Sequence, residues 1–414
     1  MRILATAVIA AAMAASPAMA KTELVVHYPM PQVFGSIHET LAKDFMAENP
    51  DITISFRAPS ANYEEAAQLL LRQSMSDQLP DVSFQGLNRV RILADRELAV
   101  KLDPFIKDEA AFAKQGFTKS VRSLGQVKGG QYALAFSAST PIIYFNADLV
   151  KQAGGDPAAF PADWDGVIAL GKKINDLGND TDGLYYHFWG SDWMWQAALG
   201  SFGGQSMNDA ETDVTFDDEK GVKAATLLGR FTPEAGMRGY NRDAAQQSFQ
   251  AGKLGIMVDS SGFLARLEKG VGDRFPLRTA PFPIADKANA SLPTGGAAVV
   301  MLTKDAKKQE AAWKYMTFVT GPKGAATVVR MSGYAPTNEA VAEHLGDFYA
   351  QNPNHRAAQQ QVKYLGPWFA YPTAEGVKVT DVIMRRLRDV MDKGADPKQT
   401  VSEIADEVRK TIAR

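Results

Sequence analysis

The chain has 414 residues, with 45 Lys and Arg against 47 Asp and Glu for a formal charge of −2, and it contains no cysteine. A near-neutral charge without a Lys/Arg block argues against nucleic acid or an anionic membrane as a partner. The missing cysteines exclude disulfides, thiolate metal sites and cysteine nucleophiles, and the length exceeds what one hydrophobic core supports, so two lobes are expected.

The first 20 residues, "MRILATAVIAAAMAASPAMA", combine a basic start at Arg2, an apolar run and the small-x-small ending Ala18-Met19-Ala20. This is the pattern of a secretory signal peptide. Cleavage after Ala20 is expected, delivering the protein through the inner membrane to the periplasm. Without Arg2, the chain beyond Ala20 holds 44 basic and 47 acidic residues, a formal charge of −3, and no stretch apolar enough to span a bilayer.

"TELVVHY" is a short β-rich run. "FGSIHETLAKDFMAENP" places Ile37, Leu41 and Phe45 at four-residue spacing and stops at Asn49-Pro50, which predicts a helix. "DITISF" reads as a strand, "NYEEAAQLLLRQSMSDQ" as a helix, "PDVSFQG" as strand into turn and "NRVRILADREL" as a helix. This alternation predicts an α/β fold with a mostly parallel sheet, whose ligands sit at the C-terminal ends of the strands.

"YALAFSASTPIIYFNADLVKQAG" then carries two β-rich runs interrupted by small hydroxyl residues, and a more helical region extends from there as far as "AATLLGRF". "TGGAAVVMLTK" is a strand again and "KQEAAWKYMTFVTG" a helix. The chain is expected to leave one lobe near residue 137 and return near 277. This assigns 21–137 with 277–333 to an N-terminal lobe and 138–276 with 334–414 to a C-terminal lobe, joined by a multi-strand hinge.

Three of the six tryptophans, Trp189, Trp193 and Trp195, gather in "HFWGSDWMWQAALG". Indole supplies a flat ring with a polar N–H, so the cluster is either a hydrophobic plug or a stacking platform for a ligand. Trp164 and Trp313 fall within helical patterns and are read as packing residues, whereas Trp368 in "LGPWFAYP" is a loop residue.

No phosphate-cradling loop, zinc-protease helix or nucleophile elbow is present, and His27, His38, His187, His344 and His355 lack ligand-like spacing. Neither a cofactor nor a metal is expected. An exported carbohydrate-cleaving enzyme would need two carboxylates facing across one sugar, and only Asp192 and Asp259 lie near the candidate pocket motifs. Both read more simply as hydroxyl acceptors.

"LAKDFMAENPDITISF", "STPIIYFNADLVKQAGGDP", "FQAGKLGIMVDSSG", "TGGAAVVMLTKDAKKQEAAWKYMTFVTGPKGA" and "MSGYAPTNEAV" together resemble the extracellular solute-binding proteins of ABC importers. The resemblance is to the branch with maltose-binding and sn-glycerol-3-phosphate-binding proteins. It implies a two-lobed periplasmic-binding-protein (Venus-flytrap) fold that closes on a sugar or sugar conjugate and docks on membrane permease subunits, with a monomer expected. It also implies that Trp189 and Trp193 pack against the ligand, with Trp368 at the mouth, and that Tyr63, Ser139, Ser260 or Ser261, and Tyr334 contact it. Gly295 or Gly296 would supply backbone donors.

Two positions depart from that pattern. The glycerol-phosphate branch has a Glu after the third strand, where this chain has Leu87 with Gln85 and Asn88 nearby. It also has a phosphate-clamping Arg on a late helix, where this chain has Thr380, with Arg385 and Arg386 more than a turn away. A phosphate dianion normally recruits a guanidinium fork. The departure therefore argues for a glycoside, an oligosaccharide or a glycerol-linked sugar, leaves room for a sulfonate that Ser, Thr, His and backbone N–H donors can satisfy without an Arg, and keeps sn-glycerol 3-phosphate or a glycerophosphodiester as the alternative solute.

Overall fold

Two sheets organise the chain. The computed structural model describes residues 21–178, 180–188, 190–373 and 375–412, so the predicted signal peptide lies outside the described residues. The first sheet contains β1 (Thr22–His27), β2 (Ile52–Phe56) and β3 (Val82–Gly86). After a small hairpin of β4 (Gln126–Val127) and β5 (Gly130–Gln131), β6 (Ala133–Ala135) joins it. The second sheet is built from β7 (Pro141–Asn146), β8 (Asp182–Tyr186), β9 (Leu254–Ser260) and β10 (Leu277–Pro281). A ribbon strand β11 (Leu292–Thr294) leads back into β12 (Ala297–Met301), and β13 (Leu365–Pro367) pairs with β11. The orders are β2-β1-β3-β12-β6 and β10-β7-β9-β8.

The helices between the strands bury their periodic apolar residues against these sheets. In Pro31–Glu48 the predicted Ile37, Leu41 and Phe45 are all buried, beside Phe34. Asp163, Asp218 and Asp305 each accept from backbone N–H groups at a helix start, satisfying donors that a helix cannot pair internally.

Both sheets are mixed rather than mostly parallel. β1 runs parallel to β2 and β3, and β8 parallel to β9, but β12 is antiparallel to β3 and β6, and β7 is antiparallel to β9 and β10. The reversed strands β7 and β12 enter from the other lobe. They begin at the interlobe edge, where strands followed by a helical crossover end. The return near 277 is also corrected: Leu277–Pro281 pairs with β7 in the second sheet, and the chain rejoins the first sheet only at β12.

Three segments cross between the sheets and pair with one another. Ser139 and Gly295 exchange backbone hydrogen bonds of 2.8 and 3.0 Å, and the Ala335 N–H donates to Ala138 at 2.8 Å. The small residues of "SAST" thus form the middle of a narrow strand bundle, positioned to absorb rotation over few residues.

Candidate functional site

A cavity of about 440 Å³ lies between the lobes beside this crossing, lined by residues of both sheets' cleft-facing loops. Four helices begin on its wall. Gln32, Tyr63, Trp193 and Arg242 line it from the first turns of Pro31–Glu48, Tyr63–Gln73, Trp193–Ser201 and Arg242–Gln250. Helix starts present unpaired N–H groups and partial positive charge, a setting suited to negatively polarised oxygen.

Aromatic rings form one side. Trp193 is buried, donates its indole N–H to Pro293 O at 2.8 Å and lies 6.4 Å from the Trp368 ring at an interplanar angle of 56°. The "TGG" glycines make room for it. A Cβ on Gly295 would sit 3.0 Å from Trp193 Cε2 and 2.5 Å from Ser139 Oγ. Gly296 has φ +112°, and a Cβ there would meet Ser137 O at 2.2 Å. Tyr334 stacks on Phe34 at 5.5 Å, over a gap that only Gly262 leaves open. Burial pushes the Tyr334 hydroxyl up to about 12 and raises that of its neighbour Tyr63.

The charged side centres on Arg242. Its Nη2 and Nε donate to Asp259 at 2.7 and 3.1 Å, and its guanidinium carbon lies 4.7 Å from the centre of the Phe263 ring. Burial would raise the Asp259 carboxyl, but Arg242, together with His187 and the Ser260 N–H, outweighs it and holds the group below the usual carboxylate range. Burial, and then Arg242, lower His187 to about 3, so the imidazole just after β8 is neutral. Its Nδ1 lies 3.2 Å from the Tyr185 hydroxyl. Arg266, exposed, adds a second cation at the mouth.

Of the residues expected from sequence, Tyr63, Ser139, Trp193, Ser260, Gly295, Gly296, Tyr334 and Trp368 line this one cavity. Others do not. Ser261 is buried behind it, its Oγ accepting from Thr140 N–H. Gln85 is fully buried in β3, donating to Ser83. Asn88 lines two neighbouring cavities, and Asp192 and Thr380 line one of these. The Gly295 N–H is taken by Ser139 O, so it is no ligand donor in this conformation. Trp189 lies outside the described residues, and Trp195 is a core residue packed edge-on against Phe216.

The expectation that the site lacks a guanidinium is also corrected. Arg385 and Arg386 bond Glu407 and Glu403 on the last helix, away from the cleft, and Arg242 enters from another element. Sequence held a signal for it: Asn241 in "YNRDAAQQ" is a helix cap, and its side chain accepts from Ala244 N–H. His187 and Gln32 were missed as well, although the residue after a parallel strand faces the crevice in such sheets.

The Asp192 and Asp259 carboxylates do not face one sugar. Asp192 accepts from Gln196 and Trp368 in the adjoining cavity, and Asp259 is occupied by Arg242.

Two mixed α/β lobes, joined by paired crossing strands around a polar and aromatic cavity, define a protein that holds a small molecule between its lobes. The chain belongs to the bacterial extracellular solute-binding proteins, whose family model matches residues 40–357. A putative binding protein of Brucella abortus (strain 2308) is 27% identical over 334 residues, 77% of this chain and 76% of that protein. The sn-glycerol-3-phosphate-binding periplasmic protein UgpB of Escherichia coli (strain K12) is 23% identical over 391 residues, 91% and 87% of the two chains. Among solved structures, UgpB from Mycobacterium tuberculosis in complex with glycerophosphocholine is similar with a TM-score of 0.82 at 21% identity, covering 94% of this chain and 98% of that one. The GacH receptor of Streptomyces glaucescens, solved unliganded and with acarbose, gives 0.80 at 19% identity, over 95% and 99%.

Proposed function

We propose that this protein is the solute-binding subunit of an ABC importer, acting as a periplasmic monomer after cleavage behind Ala20. It captures a hydroxylated solute carrying one negative charge and delivers it to membrane permease subunits. The solute class is a sugar or glycerol conjugate bearing a sulfonate or a phosphodiester. Trp193 and Trp368 cover its weakly apolar C–H faces, while Ser139, Ser260, Tyr63 and Tyr334 read its hydroxyls.

The observation that carries this reading is the Arg242–Asp259 pair. Two of the three guanidinium nitrogens are committed to a buried carboxylate, and Nη1 makes no hydrogen bond among the described residues. With its charge balanced by Asp259, the group still offers the Nη1/Nη2 edge to an anion but no net positive charge, which suits a singly charged oxyanion and serves a phosphate dianion poorly. Helix starts at the same wall supplement it. Binding rather than hydrolysis is supported by the two engaged carboxylates, since neither is placed as a general acid or nucleophile.

Isothermal titration calorimetry tests the reading with glycerophosphocholine, glycerol 3-phosphate and maltose. The phosphodiester is expected to bind at least tenfold tighter than the phosphomonoester. Tighter binding of glycerol 3-phosphate, or of maltose, overturns the assignment of charge.

A further inference from the structure

Of the four helices that start on the cavity wall, one is left uncapped by the protein's own side chains and keeps its first N–H groups free. Asn62 and Asn241 accept from Glu65 N–H and Ala244 N–H and so cap two of the starts, and in a third the first residue, Pro31, has no N–H to offer. The helix Trp193–Ser201 differs. Asp192 holds its N-cap position, yet the carboxylate is drawn off by Gln196 Nε2 at 2.9 Å and Trp368 Nε1 at 3.3 Å and lines the adjoining chamber, where Arg89 opposes its charge. The N–H groups of Trp193, Met194 and Trp195 have no acceptor among the described residues. Such a helix start carries about half a positive charge and holds oxyanions without a side-chain cation. Gly190 and Ser191 line the cavity beside Trp193, and a Cβ built on Gly190, at φ +78°, would meet nothing within 4 Å.

A second group points to the same place. His187 follows β8 directly, at the other end of the connection that leads into Trp193, and it lines the same cavity while only 4% exposed. Its Nδ1 is turned back onto the Tyr185 hydroxyl at 3.2 Å, which leaves Nε2 on the opposite edge of the ring, open to the cavity and without a hydrogen bond among the described residues. With the imidazole neutral and Tyr185 donating to Nδ1, the proton sits on Nε2, where it can be given to an acceptor.

Side-chain charge leaves little net attraction on this wall. Arg242 is balanced by Asp259, Glu64 is paired with Arg89, and Arg266 and Asp243, both exposed, offset each other.

We propose that the oxyanion of the ligand is seated on the start of Trp193–Ser201 and serves as the cap that Asp192 does not provide, with His187 Nε2–H and the Nη1/Nη2 edge of Arg242 beside it. The seat rests on the reading of the cavity as an anion site and says which groups hold the charge. Backbone N–H groups, rather than a dedicated cation, then select for an oxyanion.

Calorimetry on the full chain, with glycerophosphocholine as the probe, tests this at two positions. Ser191→Asp puts a carboxylate beside the helix start, and is expected to bind the probe about 100-fold more weakly than Ser191→Asn, which has the same size without the charge. Asn62→Asp adds the same charge to a start that the protein already caps, and is expected to weaken binding by less than about tenfold. His187→Phe is expected to bind about tenfold more weakly than His187→Gln, whose amide keeps an N–H donor. Circular-dichroism melts verify that each variant is folded. Equal weakening by Ser191→Asp and Asn62→Asp, or equal affinities of the two His187 variants, overturns the seat while leaving the cavity an anion site. Probe binding that neither added carboxylate changes, or folded wild-type protein that does not bind the probe, overturns the anion reading and the seat together.

Discussion

Replacing Arg242 with Met separates the structural from the binding role of the cleft's central charge. Asp259 is fully buried and its charge is balanced by Arg242 at 2.7 Å. Removing one partner of such a pair leaves an uncompensated buried charge and costs about 3–5 kcal/mol. Restoring neutrality with Asp259→Asn in the same chain should recover most of that loss, to within about 1 kcal/mol of wild type. The sign of the pH dependence provides a second check. In the wild type the Asp259 carboxyl is lowered, so its stabilisation is complete above the ordinary carboxylate range and is lost as pH falls through its own lowered value. In Arg242→Met, burial, the largest single influence on the group, is opposed only by the Ser260 N–H at 2.7 Å and by His187, and raises the carboxyl. The variant should then gain stability relative to wild type as pH falls from 7 to 5. Urea unfolding at both pH values measures this. Calorimetry on the double variant measures the other role, with glycerophosphocholine affinity expected to fall about 10- to 150-fold, the equivalent of one charge-assisted hydrogen bond of about 1.5–3 kcal/mol. An Arg242→Met variant as stable as wild type at pH 7 refutes the pairing argument. A folded double variant with undiminished affinity refutes the binding role.

Burial lowers His38 and His187 to about 3, and His27 and His355 to about 4, against an ordinary 6.5. Their stabilisation is present above pH 6.5 and is lost as pH falls toward 4, at up to about 1.4 kcal/mol per pH unit for each imidazole. His38 lies among Tyr28, Phe34, Phe84 and Phe136 with neither nitrogen bonded, so His38→Leu should flatten that slope by one proton in urea melts at pH 7, 6 and 5. A slope unchanged from wild type would contradict the burial argument. Trp193→Ala removes a ring shared by core and cavity, so both stability and affinity should fall, stability by about 2–4 kcal/mol because one face is not packed. Loss of only one of the two, by unfolding and calorimetry, would assign the ring to plug or platform alone. Arg91→Ala cuts a partly exposed interlobe pair worth about 1 kcal/mol or less, and should shift small-angle scattering of the ligand-free protein toward a more open shape. Identical scattering profiles would show that the pair does not hold the lobes.

The elements most legible in the sequence were those whose signal is local. The four-residue spacing of Ile37, Leu41 and Phe45 produced a buried helix face, and "DITISF" and "PDVSFQG" became β2 and β3, because helix and strand periods dictate which side chains share a face. The glycines of "TGG" and the hydroxyls of "SAST" stood out as candidate ligand contacts, and they form the paired crossing beside the cavity. The order of strands was not legible. β7 and β12 read as ordinary β-rich runs, and their reversed direction comes from entering a sheet from the other lobe, which no local period encodes.

By itself the sequence determined the class of fold, the division into two lobes and a set of aromatic and hydroxyl residues near one cleft. Composition and periodicity act residue by residue, and the resemblance concentrated them on a few motifs. Only the tertiary structure decided which of those residues share a cavity, because the cavity wall is assembled from helix starts far apart in the chain. It set Trp193 beside Trp368 and Trp195 against Phe216, partners that their two-residue offset on one helix keeps apart but does not name. It moved the guanidinium from the last helices to Arg242, where the attraction of a carboxylate buried 17 residues downstream holds it. Electrostatic partners are chosen by distance in space, and a buried charge takes whichever partner the fold brings within about 3 Å.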